Sequence, residues 1–307
     1  MTREYMNRQY EVRDLWAKRP KRMTFVDVPA LAVDSRDRVY VVTRGACPVM
    51  VFDRKGELEQ TWDRASFAFA HGICLAPDEQ VYCVDADAHV VGKYTPDGQL
   101  LMTLGTPNEP SETGYMSNDY RTIVRPGRPF NRPTDVAVAA SGEVYVSDGY
   151  GNACVHRFSP NGQLISSWGE PGRQPGQFNI PHGIVIDQQN RVLVADRENN
   201  RIQVFTSEGK LMAVWNGLYR PNSLCLGIDG TLCVAELTHR ISFWSLDGQL
   251  LDRWGDEGMG LEAGSFVSPH AIAVDSHGDM YVGEVSESAA RIDRGSRTLQ
   301  KFTRRDA

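Results

Sequence analysis

The sequence predicts an all-β chain, a six-bladed β-propeller with four short strands to each blade. The main observation is a repeat: apolar strand, Asp-x-x-Gly type turn, second strand ending in an acid, third strand, Gly turn, fourth strand. Its clearest copy runs Pro181-His182-Gly183-Ile184-Val185-Ile186-Asp187, then Val192-Leu193-Val194-Ala195-Asp196, then Arg201-Ile202-Gln203-Val204-Phe205. Gly209 then turns into a strand that ends at Trp215. The period is the second observation. Aligned on Pro181, copies begin at Val28, Ala70, Pro133, Pro181, Pro221 and Pro269, and recurrence at about 40 to 50 residues, stretched once by an insertion, is the spacing of a four-stranded blade. Thirdly, no long 3.6-residue periodicity competes with the repeat.

Taken in order, the first blade starts at Val28 and its fourth strand ends at Trp62. The next four run from Ala70 to Leu104, Pro133 to Trp168, Pro181 to Trp215 and Pro221 to Trp254. The recurring Trp is expected in the core between blades. The sixth copy reaches Lys301-Phe302 and a basic tail, with no room for a fourth strand. The run from Tyr10 to Trp16 has the spacing of the missing strand, with Trp16 in the Trp position. Pairing it with the last blade closes the ring and removes two exposed edges, so residues 1–307 are expected as one closed domain. The longest insertion, Thr106 to Asn131 (about 106–131), joins blades two and three and carries Tyr115, Tyr120, Arg121, Arg125 and Arg128. Loops of this length are usually functional or disordered, and the segment reads as a substrate-covering lid.

With 41% hydrophobic and 23% charged residues over 307 positions, the chain can bury a core without disulfides, and a disordered or collagen-like class is excluded. Lys plus Arg number 33 against 39 Asp plus Glu. The resulting net charge of -6 argues against a nucleic-acid partner, because phosphate neutralisation needs a basic face. No window approaches a membrane-spanning apolar run, and Met1 leads straight into polar sequence without the core of a signal peptide. A soluble, cytoplasmic protein with no membrane partner is expected. The cysteines Cys47, Cys74, Cys83, Cys154, Cys225 and Cys233 include no Cys-x-x-Cys pair. Four of them interrupt runs of Val, Ile and Leu, so reduced, inert thiols are expected.

Adjacent strands are antiparallel, so residues just before the first strand and just after the second share one face of the ring. At the first of these positions the six blades carry Pro29, His71, Thr134, His182, Asn222 and His270. The histidines occupy alternate blades, about 120° apart in a six-bladed ring. Three neutral imidazoles with an open fourth position form a catalytic zinc arrangement, and Zn2+ is the expected cofactor on His71, His182 and His270. A lone buried His is more often structural; equivalence on alternate blades is what favours metal. His89, His156, His239 and His277 fall outside the register and read as surface or packing residues.

The second strands end at Thr43, Asp85, Asp148, Asp196, Glu236 and Glu284, and the acids read as caps accepting backbone N–H bonds. Directly after them arginine appears only in blades one and four, as Arg44 and Arg197. Paired guanidinium groups beside a metal suit a carboxylate substrate; two surface ion pairs are the other reading. Thr134 and Asn222, at the histidine register, are placed as further substrate contacts. Tyr150, after Asp148-Gly149 on the same face, is either core or a general base whose proton cationic neighbours loosen.

These residues resemble a known family. Arg132-Pro133-Thr134-Asp135-Val136-Ala137-Val138, followed by Val144-Tyr145-Val146-Ser147-Asp148-Gly149-Tyr150-Gly151-Asn152, is similar to the catalytic domain of peptidyl-α-hydroxyglycine α-amidating lyases. Trp168-Gly169-Glu170, Pro175-Gly176-Gln177-Phe178, Pro181-His182 and Val194-Ala195-Asp196-Arg197-Glu198-Asn199 extend the resemblance, and the broader class is the NHL-repeat propellers. It is dense from Arg132 to Phe205 and repeat-level elsewhere, with His71-Gly72 and Pro269-His270 matching further histidine motifs. The resemblance implies His71, His182 and His270 as zinc ligands, Tyr150 as base, and Arg197 and Arg44 as active-site arginines. Two departures stand out. The family's acid after the third histidine, part of a calcium site, is Ala271 here, so calcium is doubtful. Its paired cysteines are replaced by Asn131, Gly151, Leu193 and Val204, as a reducing compartment permits.

The expected function is a zinc-dependent lyase that cleaves the C–N bond of an N-(1-hydroxyalkyl)amide (carbinolamide) bearing a carboxylate, releasing an amide and an oxo-acid. A zinc-dependent hydrolase of an amide or ester is the nearest rival. A noncatalytic propeller scaffold is the rival from another class, since fold alone does not distinguish these uses.

Overall fold

In the computed structural model, residues 10–62, 67–255 and 258–305 are described. They form six antiparallel sheets of four strands each. The chain is a six-bladed β-propeller with almost no helix. No helix among the described residues is long and apolar enough to cross a membrane.

The residues fall into two compact units of three blades. Blades two, three and four lie in Ser66–Pro221. Their strands are Ala70–Leu75, Val81–Asp85, Val90–Tyr94 and Leu100–Leu104; Pro133–Val138, Val144–Asp148, Cys154–Phe158 and Leu164–Trp168; and Pro181–Ile186, Val192–Asp196, Arg201–Phe205 and Leu211–Asn216. The second strand of each blade is buried along its whole length, whereas the fourth is largely half-exposed or exposed. Val-Tyr-Val type runs therefore sit where both faces are covered, and alternation appears only at the rim. Between blades the faces interdigitate: Tyr82, Val84 and Leu104 pack with Phe130, Val146 and Phe158, and Tyr145 and Val155 with Phe178, Val194 and Phe205.

The other unit, Met1–Ala65 with Asn222–Ala307, holds blades one, five and six. In the sixth, the order is Tyr10–Arg13, Leu299–Arg304, Met280–Glu284, Pro269–Val274. The N-terminal strand thus supplies the missing fourth strand, with Tyr10 opposite Arg304 and Arg13 opposite Lys301. Tyr10 packs edge-on against Trp254 at 5.3 Å.

Trp16 departs from its expected place. The strand stops at Arg13, and Leu15 takes a left-handed backbone (φ 55°). That turn carries the indole off the sheet. Trp16 instead packs on Phe52 and Tyr281 at 5.7 and 5.0 Å and donates Nε1–H to Arg54 O. All six cysteines are free, as expected. Burial pushes the Cys74 and Cys225 thiols up to about 12 and about 11, and Cys83 and Cys154 upward too.

Candidate functional site

In the Ser66–Pro221 unit, His71 and His182 each sit in a β-bulge at the start of the innermost strand. Ala70 pairs Asp85, but the next pair is Ile73 with Cys83; Pro181 pairs Asp196, and the next pair is Ile184 with Val194. A bulge re-aims side chains that the ladder would otherwise hold across the sheet. Gly72 permits the approach of the neighbouring blade, because a Cβ there would lie 2.9 Å from Asp135 Cα and Thr134 O.

Both imidazoles are buried, with ring centroids 4.9 Å apart. His71 Nδ1 lies 2.6 Å from Thr134 O. A carbonyl only accepts, so Nδ1 carries the proton and Nε2 carries the lone pair. The Tyr150 hydroxyl lies between the pair, 2.8 Å from His71 Nε2 and 3.1 Å from His182 Nε2. Gly149 lets this turn seat against blade four, since a Cβ would fall 2.0 Å from Pro181 O.

Two guanidinium groups face the Tyr150 ring. Arg197 is 5.5 Å and Arg132 5.7 Å from its centroid, within cation–π range. Arg197 pairs with Glu198 at 2.9 Å. Arg132 pairs with Asp87 at 2.7 Å and donates to the Tyr115 hydroxyl. Thr134, expected at a substrate contact, is fully buried. Its hydroxyl donates to Pro181 O or Ser147 O, and its carbonyl holds His71.

The other unit repeats the construction. His270 is buried at a bulge between Pro269 and Ala271, with Nδ1 2.8 Å from Pro29 O. Thr134 and Pro29 hold equivalent places in blades three and one, so each carbonyl orients the imidazole of the preceding blade. Asn222 is buried, its Nδ2 3.5 Å from Pro269 O. Arg44 pairs with Asp27 at 3.0 Å and donates to the Ser288 hydroxyl.

The strand-end acids act as caps in four blades. Asp85 accepts from Ala68 and Phe69 N–H, Asp148 from Asn131, Asp196 from Asn179, and Glu284 from Val267 and Ser268. Glu236 bonds the Arg240 and Ser242 side chains. The insertion is fastened by Thr113, whose hydroxyl donates to Gly151 O, and by Asn131 bonding Ser111 O. Tyr115, Tyr120 and Ile123 pack into the core between blades three and four. It reaches the site through Tyr115 and Arg132.

Sequence reasoning missed Arg132 and Asp135. Arg132 stands directly before the strand, where its left-handed backbone (φ 59°) matches Ile180 and Arg220 in the next two blades; that geometry leaves no shared residue type in the sequence. Asp135 is half-buried and accepts from Ile184 N–H at 3.2 Å, and desolvation pushes its carboxyl up to about 7.

The histidine pair suits a metal ion. Both rings are buried, Nδ1 of His71 is engaged, and the ligand nitrogens lie within 4.8 Å of each other. A second group of metal-binding composition in this unit is Asp148, Cys154 and His156.

An NHL repeat model matches residues 130–158 and 178–205, within blades three and four. Human NHL repeat-containing protein 3 is 30% identical over 308 residues, covering 94% of this chain and 82% of that protein. The chain belongs to the NHL-repeat family. Drosophila melanogaster peptidyl-alpha-hydroxyglycine alpha-amidating lyase 1 is 32% identical over 264 residues, 75% of this chain and 45% of that enzyme. Mouse peptidyl-glycine alpha-amidating monooxygenase is 37% identical over 172 residues, 53% of this chain and 16% of that protein. The chain therefore spans less than half of either enzyme. Among solved structures, virginiamycin B lyase from Staphylococcus aureus aligns over 96% of this chain and 99% of that one, with TM-score 0.63 and 13% identity. A gluconolactonase from Xanthomonas campestris aligns over 98% and 92%, with TM-score 0.66 and 14% identity. At these identities the likeness concerns the fold.

Proposed function

We propose that this NHL protein is a metal-dependent lyase that cleaves a carbinolamide bearing a carboxylate into an amide and an oxo-acid. One observation carries the reading: the Tyr150 hydroxyl is bonded to Nε2 of both His71 and His182, beneath two guanidinium groups. The Drosophila relative named as an amidating lyase supports the reaction class.

His71, His182 and His270 are the proposed ligands, and Zn2+ the proposed ion. When bound, such an ion supplies Lewis acidity toward a hydroxyl or carbonyl oxygen. The remaining chemistry belongs to the chain. Tyr150, as phenolate, takes the proton of the substrate hydroxyl. The oxygen's electrons form the new C=O bond as the C–N bond breaks. The departing electron pair stays on nitrogen, which takes that proton back from Tyr150 to become the amide. Arg197 and Arg132 hold positive charge against the ring while it carries the negative charge. Arg44 and Arg197 are the proposed partners of the substrate carboxylate. Thr134 acts through His71 as a positioning residue, and Asn222 stays a proposed substrate contact.

The test is turnover of α-hydroxyhippurate by protein purified without chelator. Benzamide and glyoxylate in equal amounts are expected, above the uncatalysed rate. Benzoate in place of benzamide would transfer the site to the hydrolase class. Inert, metal-loaded protein would remove the carbinolamide substrate class.

A further inference from the structure

We infer that blade three carries a second metal site, formed by Asp148, Cys154 and His156, that takes a divalent cation of the zinc class. Blades four, five and six each bury the acid that ends their second strand, and each supplies an arginine to it. Arg201 Nε lies 2.6 Å from Asp196, Arg240 bonds Glu236, and Arg294 bonds Glu284. In blade four Arg201 stands opposite Asp196 in the ladder, and Gln203, two residues on, donates to the same carboxylate at 3.1 Å.

Blade three has the same acid with different neighbours. Cys154 stands opposite Asp148, where blade four has Arg201, and His156 takes the place of Gln203. Asp148, His156 and Cys154 are essentially fully buried. Among the described residues, no arginine or lysine forms an ion pair with Asp148. A buried carboxylate has thus lost its cation and gained a thiol and an imidazole, both metal ligands. Blade two serves as a control. Asp85 has Val90 opposite it and three backbone N–H donors, from Ala68, Phe69 and Ala88. Losing the arginine does not by itself create ligands.

The spacing fits a tetrahedral ion. Zinc bond lengths imply edges of about 3.3 Å between nitrogen and oxygen and about 3.6 Å between sulfur and nitrogen. His156 Nε2 lies 3.2 Å from Asp148 Oδ2 and 3.4 Å from Cys154 Sγ, and all three ligand atoms fall within 4.8 Å of one another. His156 Nδ1 is held by Ser167 Oγ at 2.8 Å, the outer contact that fixes a ligating ring. Gly127 O, 3.8 Å from the sulfur, offers an oxygen for the fourth position. Binding releases the thiol proton to solvent. The two positive charges then meet one carboxylate and one thiolate, so the buried site is neutral. The ion clamps the strand end that leads through Gly149 to Tyr150.

Because the ligands are buried, the ion enters during folding, so the full chain is produced in cobalt-supplemented minimal medium. Thiolate-to-cobalt charge-transfer absorption in the near-ultraviolet is expected, and Cys154→Ser removes it. The three-histidine set contains no thiolate, so His182→Ala keeps the band whether or not that set binds metal. Cys154→Arg combined with His156→Gln copies blade four and supplies the cation from the chain. That variant should fold with one metal equivalent fewer, which decides the matter even if Cys154→Ser fails to fold. Folded, cobalt-loaded wild type without the band overturns the inference, as does undiminished metal content in the double variant.

Discussion

Replacing Tyr150 with Phe removes one oxygen and two hydrogen bonds, at 2.8 and 3.1 Å, to His71 and His182. The consequences for stability and for rate separate cleanly. In metal-free protein each bond contributes about 1 kcal/mol, so Tyr150→Phe should lose roughly 2 kcal/mol and melt a few degrees lower. In metal-loaded protein both Nε2 atoms have the ion as partner, and that difference should largely vanish. Rate behaves in the opposite way. Loss of a general base costs about 100- to 10,000-fold, or roughly 3 to 5 kcal/mol of barrier, and only the metal-loaded form can show it. The assay is benzamide formation from α-hydroxyhippurate, read beside thermal melts with and without chelator. Equal turnover by wild type and Tyr150→Phe would refute the base assignment. An equal melting penalty in both metal states would refute the placing of the ion on His71 and His182.

Three further outcomes are expected. Arg197→Ala removes a cation from the Tyr150 ring and from the proposed carboxylate site, so KM should rise as well as kcat fall; a pure kcat effect would dissociate Arg197 from substrate binding. Deleting residues 1–13 strips the strand paired with Leu299–Arg304 and the burial of Tyr10 against Trp254. Tyr10 alone contributes about 1.5 to 3 kcal/mol, so an unchanged Tm would show that the sixth blade does not depend on this strand. Desolvation makes Asp135 hold its proton more tightly in the folded chain, at about 7 against an ordinary 3.8. Its stabilising contribution is complete below about pH 4 and is lost as pH rises through about 7, by about 4 kcal/mol at most. Asp135→Asn keeps an acceptor for Ile184 N–H, so urea titrations at pH 5 and pH 8 should show a smaller fall for the variant; parallel pH profiles would rule this out.

Strand and turn chemistry is local, which is why the blades could be read from sequence. Apolar runs, turn glycines and the acid closing five of the six second strands recur with the repeat, and they located the six sheets. The same register marked His71, His182 and Tyr150, because residues at equivalent places in a repeat occupy equivalent places in space. Trp16 escaped this reasoning: the left-handed turn at Leu15 is invisible to spacing, and it moved the indole from a strand end to the core beside Phe52 and Tyr281. The approach of Arg132 to the Tyr150 ring, the carbonyl of Thr134 on His71 and the meeting of Asp148 with His156 are likewise contacts that sequence spacing did not reveal. They join side chains to groups in other strands or neighbouring blades, and the distances between them are set by how sheets pack. Sequence thus determined which residues recur at each place in a blade. Packing between strands and blades decided which of them touch, because hydrogen bonds and ion pairs depend on ångström-scale distances that no repeat length encodes.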